Sequence, residues 1–171
     1  MRGLSVRLAL GAGLCVFLLT ACAKTMVNSG PSSVAPAISW VVRVVDTNDS
    51  KTLNGSGSMS VPRSTVQIFI HAKSPSGVKS VSDGTFVDAT FTCISGNLGQ
   101  TAFATFAGAT QTQTPDAQNN VVEDLVLFQV FGLNHTCSPG FSFTGGSMNI
   151  TAKAINFGGK VTTATLKLSI Q

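Results

Sequence analysis

The feature that most constrains this chain is a period of two in its apolar residues. In AISWVVRVVD (37–46) Ile38, Trp40, Val42 and Val44 alternate with other residues; in TVQIFIHAK (65–73) the set is Val66, Ile68, Ile70 and Ala72; in TTATLKLSI (162–170) it is Ala164, Leu166, Leu168 and Ile170. Successive side chains of a β-strand point to opposite faces, so each set makes one apolar face of a half-buried strand. Further strands are predicted at GVKSV (77–81), FVDATFTCI (86–94), QTAFATFA (100–107), VVEDLVLFQVF (121–131) and SMNITAKAI (147–155), bounded by Gly, Pro, Asn and Ser clusters. Only VVEDLVLFQVF could also carry a 3.6-residue period, and its β-branched and aromatic content favours a strand.

Short strands with turn signals between them predict an all-β fold, a sandwich or a barrel. Two stretches bear on the choice. VQIFIHAKSPSGVKSV, a strand, a Pro-Ser-Gly turn and a second strand, resembles the early hairpin of bacterial immunoglobulin-like and cadherin-like domains. SMNITAKAINFGGKVTTATLKLSI resembles their closing hairpin. The resemblance implies an immunoglobulin-like β-sandwich of about seven to nine strands over residues 37–171. The antibody pattern is not followed throughout, because there a Trp lies between the two cysteines of an inter-sheet disulfide, whereas Trp40 precedes Cys93 and Cys137. Residues 83–146 have room for an insertion.

The N-terminus speaks to location. Arg2 and Arg7 precede an apolar run, Leu8–Leu19, followed by small residues and a cysteine. The run is shorter than the roughly 20 residues a membrane-spanning helix needs, so residues 1–21 read as a cleaved export signal. Leu19-Thr20-Ala21-Cys22 resembles the lipobox of bacterial lipoproteins. That resemblance implies a diacylglyceryl thioether on Cys22, cleavage before it and acylation of the new amine, giving palmitate-type chains in the membrane. One acyl chain binds reversibly and two or three hold firmly, at about 0.8 kcal/mol per buried methylene. Ala23, which is not Asp, favours the outer membrane over the inner in the sorting logic of that family. Residues 22–36, with AKTMVNSGPSSVAP after the cysteine, read as the lipidated N-terminus and a flexible tether.

Composition bounds the partners. Apart from Arg2 and Arg7, basic side chains are scattered singly, as at Arg43, Arg63, Lys79 and Lys160, which leaves no stripe for nucleic acid. With Cys15 in the signal and Cys22 lipidated, Cys93 and Cys137 remain. An even pair in an exported chain reads as one disulfide, with two free thiols as the alternative. No CxxC or HxxxH spacing supports a metal site, and no cofactor is implied.

Catalytic sets are weak. His71 falls opposite Val66, Ile68 and Ile70, beside Lys73, as a solvated strand residue, and no serine has an evident base and orienting acid. Glu123 and Asp124 are adjacent, so on a strand they face opposite ways. Asp46, Asn48 and Ser50 occupy the first, third and fifth places of an EF-hand loop, but Lys51 and Gly57 stand where Gly and Glu belong, so DTNDSKTLNGSG reads as a polar hairpin connection.

Most of the phenylalanines after the signal read as core. The exceptions are Phe141 and Phe143 in GLNHTCSPGFSFTGG, which with His135 are the candidate partner-binding residues. Exposed, they would form an apolar patch of the kind that marks a partner site; folded back, they would plug the end of the sandwich. The reading is a membrane-anchored envelope lipoprotein with a non-catalytic binding or structural domain and a protein partner. An accessory subunit of a secretion, pilus or transport assembly is the alternative, and an enzyme comes third.

Overall fold

The computed structural model describes residues 25–31, 33–84 and 86–171. Among them there is no helix, and thirteen strands follow one another. The first six are β1 (Met26–Asn28), β2 (Ala37–Val44), β3 (Ser50–Asn54), β4 (Gly57–Val61), β5 (Thr65–Lys73) and β6 (Val78–Ser82). The rest are β7 (Phe86–Ser95), β8 (Leu98–Ala107), β9 (Thr110–Thr112), β10 (Asn120–Val122), β11 (Asp124–Gly132), β12 (Ser142–Asn156) and β13 (Val161–Ile170).

Two sheets pack face to face as a β-sandwich. One has the order β11-β5-β2-β3; the other is seven-stranded, running β4-β13-β12-β6-β9, with β7 beside β12 and β8 beside β7. The three alternating sets read from the sequence supply the facing surfaces: Ile38 to Val44, Val66 to Ala72 and Ala164 to Ile170 are buried at every second position. They join Met148, Ile150, Leu125 and Leu127 in one contiguous core. At about 25 cal/mol per Å² of apolar surface removed from water, these paired faces are the main stabilising term.

Several expectations are corrected. The strand count exceeds seven to nine because the extra elements are short or polar and carry no apolar period. β3 lies inside the stretch read as a polar connection, pairing with β2 from Ser39↔Asn54 to Arg43↔Ser50. VVEDLVLFQVF is broken at Glu123, whose N–H donates to Thr25 O (2.8 Å) while its carbonyl accepts from Ser74 N–H (3.0 Å). β5 and β6 are not a hairpin: β5 pairs with β2 and β11, and β6 with β12 and β9, so the Pro-Ser-Gly segment crosses between sheets. β12 and β13 do form the expected hairpin, closed where Lys160 N–H donates to Asn156 Oδ1 (2.8 Å).

The tether is corrected too. β1 pairs with β10, Met26↔Val122 to Asn28↔Asn120. Further on, Asn156 Nδ2 donates to Val34 O (2.9 Å) and Thr162 Oγ1 to Pro36 O (2.6 Å). These bonds dock the segment from Thr25 onward on the sandwich. The signal, Cys22, Ala23 and Lys24 lie outside the described residues.

Candidate binding cleft beside the disulfide

β11 ends at Gly132, and the fully buried Leu133 fixes where the chain leaves the sheet, its N–H donating to Ser64 O (2.9 Å). The loop that follows is tied down by Cys137, bonded to Cys93 of β7 with the Cα atoms 5.9 Å apart. Ser138-Pro139-Gly140-Phe141 then reverses the chain: Phe141 N–H donates to Ser138 O (3.0 Å) and Gly140 sits at φ 85°. Pro in the second place and a left-handed Gly in the third define a type II turn, a conformation only Gly or Asn adopts readily. β12 starts directly after it, with Phe143 opposite Cys93 and a register slip between Phe143 and Gly145.

The turn and the disulfide bring the aromatic groups together. His135 stacks on Phe91, ring centroids 4.7 Å apart at 13°, and Phe143 meets Phe91 at 6.2 Å and 52°. The Arg63 guanidinium lies 5.2 Å from the Phe143 ring centre, within cation–π range. Arg63 is brought there by the β4–β5 connection, where its N–H donates to Gln171 O (3.0 Å) and the neighbouring Ser64 hydroxyl donates to Asp46. The result is an open cleft of about 530 Å³ lined by Arg63, Asn134, His135, Thr136, Cys137, Phe141, Ser142 and Phe143. It has aromatic walls, three planar polar side chains able to bond a ligand, those of Arg63, Asn134 and His135, and a disulfide-bonded cysteine in its lining.

All three candidate residues, His135, Phe141 and Phe143, therefore line one cleft, but none is a freely exposed ring. Each is half-buried, and Phe143 packs on the core. Of the two arrangements the sequence leaves open, an exposed patch or rings folded back on the sandwich, the structure has the rings partly folded back. Phe143→Ala is accordingly expected to lower unfolding free energy by about 1–3 kcal/mol in urea titration, the range of substitutions that remove packing without emptying a full core site. Arg63 carried no sequence signal, since nothing in its neighbourhood tells that it reaches a loop beyond residue 130.

Other candidates lie elsewhere. His71 is not simply solvated: its Nδ1 is 3.2 Å from Asp124 Oδ2, and Lys73 Nζ is 3.6 Å from the same oxygen. This trio sits at the start of β11, whereas His135 lies beyond its end, so the histidines serve different places. Among the described residues no three His, Cys, Asp or Glu side chains gather where they could hold a metal ion. The reading of most phenylalanines as core is also corrected. Phe103 is 77% exposed and Phe128 47%, the latter resting on Phe69 (4.8 Å) on the outer face of the four-stranded sheet. No protein-family model matches this chain, and no curated protein does either.

Proposed function

We propose that this chain is a bacterial envelope lipoprotein, anchored through Cys22, whose immunoglobulin-like domain binds a protein partner in the cleft beside the disulfide. The observation that carries the binding reading is the cleft, in which Arg63 from the β4–β5 connection meets His135, Phe141 and Phe143 from the stretch that runs from the end of β11 into β12. Aromatic and Arg side chains in a restrained setting are the groups on which interface energy concentrates. The immunoglobulin-like reading is supported by how the strands divide: β5 to β6 changes sheet as B to C does in that fold, and β12 and β13 occupy the places of F and G. The anchor is supported by LTAC after the apolar run. Only Ala23 and Lys24 separate Cys22 from the docked Thr25, a reach of about 10 Å at most, so on this reading the domain lies against the membrane.

The test is photo-crosslinking in intact cells from position 134, followed by affinity purification. One protein should be captured from the wild-type background and lost with Arg63→Glu, a substitution at an exposed position. Equal capture by both would refute the cleft, and capture of several subunits of one machine would favour the accessory-subunit reading. Separately, Cys22→Ala should leave the chain unprocessed or soluble on fractionation, because acceptor and lipid are lost together. Membrane retention equal to wild type would refute the anchor.

A further inference from the structure

Among the described residues, β8 leaves one edge of the seven-stranded sheet open along ten residues. Its ten pairs with β7 run from Phe86↔Ala107 to Ser95↔Leu98 without a register shift. Residues 98–107 make no backbone or side-chain hydrogen bond outside that ladder. The hairpin closes on Gly96-Asn97, with Gly96 at φ 56°, the first-position glycine of a type II′ turn. Ser95 and Leu98 are then the closing hydrogen-bonded pair. By antiparallel alternation, the N–H and C=O groups of Gly99, Thr101, Phe103, Thr105 and Ala107 turn away from β7 toward the open side.

Sheet edges are ordinarily blunted by charge, proline, bulges or shortness. The far edge of the same sheet is: β4 has five residues, Pro62 follows it, and Lys51 Nζ donates to Ser60 O (3.0 Å). β8 has none of these devices, and residues 89–115 contain no Lys, Arg, Asp or Glu. The hairpin tip also stands clear of the body, since residues 98–101 are exposed on both faces.

We infer that β8 pairs antiparallel with β8 of a second copy, about a two-fold axis through Phe103. The five outward-turned residues are symmetric about that position. This register sets Gly99 opposite Ala107, Thr101 opposite Thr105 and Phe103 opposite itself, and leaves none of their backbone groups unpaired. It also brings no like charges together, although the whole chain carries a formal +4. Phe103, at 77% the most exposed large apolar side chain among the described residues, lands on the axis, where the two rings form a cross-strand aromatic pair. An extended segment of another protein could satisfy the same backbone groups, but only a second copy covers Phe103 with its equal. The contact is isologous and closes at a dimer.

The test is sedimentation of the full-length chain in detergent, comparing wild type with two double variants. Wild type should sediment at twice the protein mass of a monomer. Thr101→Lys with Thr105→Lys, which places like charges opposite each other across the axis, should halve that mass. Thr101→Lys with Thr105→Glu, which places opposite charges there, should restore it. Circular dichroism reports that each variant is folded, and these positions are exposed. A monomeric wild type, a like-charge variant that stays dimeric, or an opposite-charge variant that stays monomeric would each overturn the inference.

Discussion

Replacing Cys93 and Cys137 together by Ala is expected to lower the unfolding free energy by about 4 kcal/mol, the chain-entropy value for a loop of this length. The bond joins residues 44 apart in sequence, and it is the covalent tie between β7 and the loop that follows β11. Without it the unfolded chain regains the freedom of the whole intervening segment, while the folded chain loses little direct packing. Cys93 is 1% exposed, so Ala is the better substitution, since Ser would bury a hydroxyl without a partner. The loss has a local part as well. His135 lies two residues before Cys137, and its stacking on Phe91 depends on where that loop is held. Urea unfolding of the wild type should therefore shift to a lower midpoint on reduction, by about as much as in the double Ala variant. Coincident midpoints for oxidised and reduced protein would show that the bond does not constrain the unfolded state.

What the sequence disclosed depended on whether a segment has one face in water and one in the core. β2, β5 and β13 do, so alternation named their buried residues one by one, and all twelve positions on the predicted apolar faces of those strands are buried. β3 is polar on nearly every side chain because it is an outer strand, and a strand without a buried face has no period to read. β1, β9 and β10 are three residues long, too short for any period. Alternation also says nothing about which sheet a strand joins. SPSG between β5 and β6 looks like a hairpin turn, yet Ser74 N–H is spent on Glu123 O and Gly77 N–H on Ser74 O, which steers the chain across the sandwich. The cleft was half legible. His135, Phe141 and Phe143 stood out because a cysteine, a Pro-Gly turn and two rings are crowded into one loop, whereas Arg63 reaches it only through the third dimension.

Trp40→Ala should cost about 3–5 kcal/mol, the range for emptying a fully buried aromatic site. Trp40 is 0% exposed on β2, between Ile70 on β5 and Leu53 on β3, in the middle of the four-stranded sheet. Its Nε1–H also donates to Gly55 O (2.8 Å), and Gly55 N–H donates to Ile38 O (2.8 Å), so the indole pins the chain where it leaves β3 for β4. Volume and hydrogen bond can be separated. Trp40→Phe keeps an aromatic ring but removes the donor, and a single lost neutral bond is worth about 1 kcal/mol. The Phe variant should then fall between wild type and Ala, nearer wild type, while amides of β3 exchange faster in both. Because Trp40 is the only tryptophan, unfolding must be followed by circular dichroism and not by its fluorescence. Should Phe destabilise as much as Ala, the bond to Gly55 outweighs the ring's packing, and the link from β3 to β4 rather than the core interior is what the tryptophan chiefly secures.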